Sequence, residues 1–191
     1  MKMRAILYAA ILIVVFSLNS YAEKYTSKSF SMVVSGTSTL HDWHSPASKS
    51  NATGDFIVAG SELQKINSMY VEVESKSIKS GKDGMDEKTW DCIKADEFPK
   101  VTFNLSSTKA ITKAGAEFTI DAMGNLKLAG TSSPIDMQVK AKVLANGDVE
   151  ISGVKKIKLS QFKLERPSAM LGTIKCGEEI TLTFTVVLKK A

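Results

Sequence analysis

The chain has little of the chemistry on which most enzymes and metal sites depend. It contains only two histidines and two cysteines among 191 residues, and both histidines, His41 and His44, lie in one short segment. No Cys-x-x-Cys and no Gly-x-Ser-x-Gly sequence is present, so neither thiol-redox catalysis nor a nucleophile elbow is indicated. We therefore expect a protein that is not an enzyme and that has neither a resident cofactor nor a metal ion.

Long hydrophobic runs are absent after the first 22 residues. The apolar run Ala5–Phe16 follows two basic residues and precedes Ser20–Ala22, which has small residues at the positions that a signal peptidase reads. We predict a signal peptide over 1–22, a single mature domain over 23–191 and a periplasmic or secreted location. The run is too short for a comfortable bilayer span, so we expect no integral membrane segment in the mature chain.

Charge of neither sign is concentrated in one part of the chain. Lysine and arginine total 25 against 20 aspartates and glutamates, and the two signs are interleaved. A nucleic-acid surface needs a basic stripe or patch, and a mixed surface mainly keeps a protein soluble. We expect no nucleic-acid partner. Lys155, Lys156 and Lys158 are interpreted as a solvated strand face, with contact to an anionic head group as the alternative.

The two cysteines, Cys92 and Cys176, would enter an oxidising compartment together if the chain is exported. A single disulfide between them is then the expected state. Two unpaired thiols are the alternative, because the separation along the chain does not show whether the two side chains meet in space.

Strict alternation of apolar and polar residues is the dominant pattern. From Ile135 to Val143 the odd positions are apolar and the even positions are polar or charged, and the ranges 71–76, 101–106 and 180–188 alternate in the same way. Such segments form strands with one buried and one solvated face. A further run, Phe118–Leu128, keeps its parity through a glycine and is predicted as one long bent strand, although a turn there is the competing interpretation.

Two short segments depart from the strand pattern. Asn146-Gly147-Asp148 has the residues of a tight turn and predicts a hairpin. Acidic residues precede apolar ones at helical spacing between Asp83 and Lys94, which predicts one short helix that ends before Pro99. The pattern therefore indicates an all-β domain of about eight strands with one helix, but a barrel and a two-sheet sandwich would bury such strands equally well.

Three segments taken together resemble the YceI-like family of exported proteins, which includes polyisoprenoid-binding members. They are Gly36–Trp43, Ile93–Phe103 and Gly172–Phe184, and Gly130–Ile135 resembles a fourth family element less closely. The resemblance implies a lipocalin-like, eight-stranded antiparallel β-barrel with one short α-helix. It also implies a long-chain apolar ligand, such as an isoprenoid-type or quinone-like lipid, for carriage or sequestration.

In such a barrel the apolar strand faces would point inward, and flexible methionines beside phenylalanines would suit a long irregular hydrocarbon. A barrel filled by its own side chains, acting as an interaction or stress-response protein of the cell envelope, is the alternative. The oligomeric state is expected to be a monomer or a homodimer. The predicted ligand-binding residues are Phe30, Met32, Val71, Val73, Phe103, Phe118, Ile120, Ile135, Met137, Val139, Leu182 and Phe184.

The segment His41-Asp42-Trp43 is predicted to have a structural role. His41 and Asp42 would form hydrogen bonds within the turn, and Trp43 would close one end of the barrel. The alternative, a metal site at His41 and His44, would need a third ligand from elsewhere in the chain.

Overall fold

The computed structural model describes residues 21–191, so the predicted signal peptide lies almost entirely outside the described residues. The described part is mostly strand, with one α-helix and three short 3₁₀ turns. The strands are β1 (Glu23–Ser38), β2 (Trp43–Ala47), β3 (Ser50–Ala59), β4 (Glu62–Glu74), β5 (Lys100–Ala114), β6 (Glu117–Leu128), β7 (Thr131–Val143), β8 (Val149–Lys158), β9 (Ser168–Ala169) and β10 (Ile174–Lys190); the helix is α1 (Asp83–Cys92), and the 3₁₀ turns are Ser75–Ser77, Leu159–Phe162 and Met170–Gly172.

Eight strands close into one antiparallel barrel in the order β1, β3, β4, β5, β6, β7, β8, β10. Closure comes from the pairing of β1 with β10, which runs from Tyr25 opposite Lys190 to Ser38 opposite Cys176. The short β2 pairs with the second half of β1, and β9 adds a two-residue bridge to β10. The all-β, lipocalin-like barrel prediction is therefore confirmed, and the sandwich alternative is wrong.

Several local predictions are confirmed along the chain. β6 continues without a break through Gly124, so the predicted long strand is present and the competing turn is not. The Asn146-Gly147 turn joins β7 to β8, and Gly147 has a φ of +84°, the left-handed conformation that such turns need. β10 begins at Ile174, earlier than the predicted Ile180, because residues before Ile180 pair with β1 and β9.

The helix α1 lies at the barrel end where β4 finishes and β5 begins. The indole N–H of Trp90 donates to the carbonyl oxygen of Ile78 at 3.0 Å. The buried carboxylate of Asp86 accepts hydrogen bonds from the backbone N–H of Ser80 at 2.6 Å and from its hydroxyl at 2.7 Å. These hydrogen bonds attach α1 to the segment that precedes it. Ile93, which follows α1, is buried against the barrel.

Two clusters of buried side chains lie at opposite ends of the barrel. One packs around Ile93 and Phe162 at the helix end, and the other packs around Tyr25, Phe56 and Val149. In the second cluster the rings of Tyr25 and Phe56 are stacked with centroids 5.0 Å apart. Within residues 21–191 we find no helix with the length and hydropathy needed to cross a membrane.

Candidate ligand-binding cavity

The centre of the barrel is open. A cavity of about 460 Å³ lies inside it, and its lining includes residues from α1 and from every barrel strand except β3. Pockets that hold small molecules generally have volumes of roughly 300–1,000 Å³. The barrel is therefore not filled by its own side chains, and its volume is suited to a ligand.

Most of the predicted ligand-binding residues lie on the wall of this cavity. Strand parity places their side chains on the inner face, and several are only partly buried because they border the open space. Whether they contact a ligand stays a prediction. The predicted residues on the wall are Phe30, Met32, Val71, Val73, Phe103, Ile120, Ile135, Met137, Val139, Leu182 and Phe184.

Phe118 is the exception and corrects the prediction. It points inward with the parity of its strand, but it is 2% exposed and packs in the cluster around Tyr25 and Phe56. The cavity does not reach it. Alternation shows on which side of the sheet a residue lies, whereas its position along the barrel axis depends on how far neighbouring strands are staggered.

The sequence reasoning missed a second group of lining residues. Leu126 and Ile180 continue the inward faces of strands that were already predicted, so parity could have identified them. Met85, Thr89 and Cys92 come from α1, and no strand pattern could show that this helix faces the barrel interior.

Two inward-facing glycines allow aromatic rings to lie against the barrel wall. A Cβ atom added at Gly124 would collide with the ring of Phe103 and with the carbonyl oxygen of Asn104. A Cβ atom added at Gly153 would approach the Phe184 ring to 2.8 Å and the Val139 side chain to 2.9 Å. The rings of Phe103 and Phe184 therefore occupy the space in which any residue other than glycine would place its side chain. Because they lie against the wall, they leave the centre of the cavity open.

The turn after β1 contains hydrogen bonds of Ser38 in addition to a contact between His41 and Asp42. The hydroxyl of Ser38 donates to the carbonyl of His41 at 2.7 Å and accepts from the backbone N–H groups of Leu40 and His41. The His41 ring nitrogen Nδ1 lies 2.8 Å from the carbonyl oxygen of Asp42. This contact joins the two residues that were predicted to form hydrogen bonds within the turn, and it involves the backbone carbonyl of Asp42.

Trp43 and His41 both line the cavity, whereas Asp42 and His44 do not. The Trp43 indole N–H donates to the carbonyl oxygen of Thr37 at 3.1 Å, and its ring covers Gly36, where an added Cβ atom would lie 2.6 Å from it. The ring thus packs against β1 at the wall. In the described part of the chain, no group of three or more metal-ligating side chains comes together.

Cys92 and Cys176 are free thiols in the structure, in contrast to the predicted disulfide. Both line the cavity. The Cys92 thiol donates to the carbonyl oxygen of Glu165 at 3.4 Å. The backbone N–H of Cys176 donates to the carbonyl oxygen of Pro167 at 2.9 Å, so both cysteines contact the segment 165–167. Burial, with a smaller contribution from nearby Cys176, raises the pKa of Cys92 to about 11, and burial also raises the pKa of Cys176. The pairing in the oxidised protein stays a prediction.

All charged residues on the cavity wall have the same sign. Lys82 and Lys88 are exposed residues near the helix, and Lys155 is a half-buried residue of β8. Within residues 21–191 neither an aspartate nor a glutamate contributes to the lining. The cavity is thus an apolar space with positive charge at a few points.

A family model described as the YceI-like domain matches residues 19–188, which is most of the chain. The chain belongs to the YceI-like family. The resemblance seen in the sequence is thereby confirmed, and the barrel with its helix is the fold of a YceI-like protein. No curated protein sequence matches the chain.

Solved structures share this fold at low sequence identity. BcnA of Burkholderia cenocepacia is 18% identical, with a TM-score of 0.65 over 83% of this chain and 95% of that one. A polyisoprenoid binding domain from Saccharophagus degradans, implicated in plant cell wall breakdown, is 14% identical, with a TM-score of 0.66 over 90% and 100%. The Campylobacter jejuni YCEI protein is 16% identical, with a TM-score of 0.54 over 100% and 92%. At these identities the similarity shows the fold alone.

Proposed function

We propose that this YceI-like protein binds a long-chain apolar molecule inside its barrel and carries or sequesters it, without chemical conversion. The observation that carries the proposal is the open cavity of about 460 Å³ with an almost wholly apolar wall. An isoprenoid or quinone-like lipid fits this wall, because flexible methionines at positions 32, 69 and 137 can adapt to an irregular chain. The polyisoprenoid-binding domain with the same fold supports this ligand class.

Burial in the cavity would stabilise a ligand that is dispersed in water by about 0.8 kcal/mol for each methylene group removed from solvent. A lipid in a bilayer has already gained that free energy, so an apolar wall by itself favours scavenging from water over extraction from a membrane. Selective uptake from a membrane would require contacts to the head group as well.

We further propose that the protein acts in the periplasm or outside the cell as a monomer or homodimer. The proposed location depends on the signal-like segment 1–22 of the sequence. N-terminal sequencing of the protein from its host should give Glu23 as the first residue, whereas an uncleaved N-terminus would contradict export by this route. Light scattering of the mature protein would give its mass in solution.

The function is tested with protein purified from its own host. Native mass spectrometry followed by organic extraction should detect one bound lipid per chain, whereas protein that is repeatedly free of lipid and fails to take up added isoprenoid would contradict the proposal. A Met137→Trp variant would fill part of the cavity and should lower lipid uptake. The matched control is Gln138→Trp, since the next residue of β7 is exposed on the outer face and should leave uptake unchanged.

A further inference from the structure

The strand β8 has one lysine on the inner face of the barrel. Residues Val149, Ile151 and Ile157 share one parity along β8, and all three are buried. Lys155 has this same parity, is half-buried and lines the cavity. The interpretation of the three lysines as one solvated face is therefore wrong for Lys155.

The neighbouring lysines confirm the contrast. Lys156 points outward, is exposed and forms an ion pair with Glu179 at 2.9 Å. Lys158 is also exposed. Strand alternation thus separates Lys155, which faces the interior, from the two lysines that face solvent.

Apolar side chains lie beside Lys155 in the barrel wall on its β10 side. Across β10 it lies opposite Leu182, and Leu182 in turn lies opposite Val34 of β1. Both of these neighbours line the same cavity. The three residues form one row across three strands, in which two positions are hydrocarbon and the third bears an ammonium group.

Within residues 21–191, Lys155 takes part in no salt bridge and no side-chain hydrogen bond, and the cavity wall contains no carboxylate. An ammonium group in apolar surroundings is unfavourable unless it is solvated or paired with an anion. A ligand that brings an oxyanion next to Lys155 would provide this pairing through a charge-assisted hydrogen bond.

We propose that the cavity selects an amphiphile with an acidic head group, a carboxylate or a phosphate, which pairs with Lys155 while the hydrocarbon chain lies against the apolar wall. This inference rests on the proposed function, since it assumes that a long-chain ligand enters the barrel. It adds a source of selectivity that apolar burial does not provide.

The test compares three ligands of one chain length: palmitate, hexadecyl phosphate and hexadecanol. Their dissociation constants are measured below their aggregation concentrations with the wild-type protein and with Lys155→Met, Lys155→Arg and Lys156→Met. A charge-assisted hydrogen bond contributes about 1.5–3 kcal/mol, so the wild type should bind at least one anion roughly tenfold or more tightly than the alcohol. Preference for palmitate alone or for the phosphate alone would identify the head group, and equal preference would indicate any oxyanion.

Lys155→Met should abolish this preference and bind hexadecanol at least as tightly as the wild type. Lys155→Arg and Lys156→Met should retain it, which separates the charge of Lys155 from its structural role and from net charge. Hexadecanol binding without any preference for the anions, or a preference that survives in Lys155→Met, would overturn the inference and leave the carrier function intact. Failure of the wild type to bind any of the three ligands or added isoprenoid would overturn both.

Discussion

The ring of Phe103 lies directly against the backbone of Gly124, where β5 and β6 run side by side. A methyl group at Gly124 would collide with this ring and with the carbonyl oxygen of Asn104. The glycine is therefore required by close packing, since β6 is an ordinary strand at this point.

Replacing Gly124 with alanine should push the Phe103 ring away from the wall and into the cavity. We expect Gly124→Ala to lower the free energy of unfolding by about 1–3 kcal/mol, as overpacking does, and to weaken lipid binding. Denaturant unfolding and lipid titration measure the two effects. The control for stability is Gly84→Ala, because an added Cβ atom at that exposed helix position meets no neighbour, and alanine there should leave the free energy of unfolding unchanged or raise it by up to about 1 kcal/mol. Unchanged stability and binding in Gly124→Ala would contradict the proposed contact.

Tyr25 is buried in the cluster at the barrel end opposite α1, and its hydroxyl has no hydrogen-bond partner within residues 21–191. Burial of this side chain raises the pKa of Tyr25. Because an unpaired buried polar group destabilises the folded state, Tyr25→Phe should leave the protein equally stable or stabilise it by up to about 1 kcal/mol. Thermal and denaturant unfolding would measure the change.

The matched control for Tyr25 is Tyr70, whose hydroxyl donates to the Glu72 carboxylate at 3.1 Å. Tyr70→Phe removes an existing hydrogen bond and should be neutral or slightly destabilising. If Tyr25→Phe were the more destabilising of the two, the Tyr25 hydroxyl would have to be hydrogen-bonded in solution.

Asp86 should make the attachment of α1 sensitive to acid. Burial raises the pKa of its carboxyl, but hydrogen bonds from the Ser80 hydroxyl and from the backbone N–H groups of Ser80 and Gly81 outweigh this, and the pKa lies below its ordinary value of 3.8. A lowered pKa stabilises the folded state above the ordinary value, and this stabilisation is lost as the pH falls through the folded-state pKa.

Asp86→Asn should therefore be less stable than the wild type at pH 7, by about 1–3 kcal/mol, and the difference should shrink below the ordinary aspartate pKa. Unfolding curves of both proteins from neutral to strongly acidic pH would measure the difference, and titrations shared by the two proteins cancel in it. A constant difference over this range would show that Asp86 contributes through shape and not through its charge.

The two cysteines provide a test of their oxidation state. A raised pKa leaves little thiolate at neutral pH, so both reduced thiols should react slowly with iodoacetamide. Cys92, whose pKa is raised to about 11, should become reactive only in strong base. A disulfide would instead block both residues until a reductant is added, and reduction would raise the mass by about 2 Da. Rapid alkylation of Cys92 at neutral pH would contradict its burial.

Much of the barrel could be predicted from local pattern. Residues 135–143 alternate strictly, and residues 118–128 have an apolar residue or glycine at every even position. Asn146-Gly147 has residues suited to a left-handed turn, so these elements could be predicted from neighbouring residues. The inward direction of Lys155 was available from the same alternation, since it follows Ile151 and precedes Ile157 at even spacing. Because Lys156 and Lys158 are close in sequence, all three lysines were interpreted as one solvated face.

Other features depend on residues that are far apart in the chain. Phe118 lies beyond the cavity because of the stagger of neighbouring strands, and Met85 lines the cavity because of where α1 is placed. Neither the stagger nor the placement of α1 can be predicted from a local sequence pattern. The part that Ser38 plays in the turn after β1 was not predicted for a related reason, because several nearby polar groups could form the same hydrogen bonds.

The amino-acid sequence by itself determined the family, the helix, the strands whose residues alternate and the inner face of those strands, because these depend on short-range periodicity and on recognisable motifs. Only the tertiary structure decided that the sheet closes through β1 and β10 and that an open space remains within it. The physical reason is that alternation requires one face of the sheet to be buried without specifying what covers it. The volume left inside depends on how side chains from all eight strands pack together.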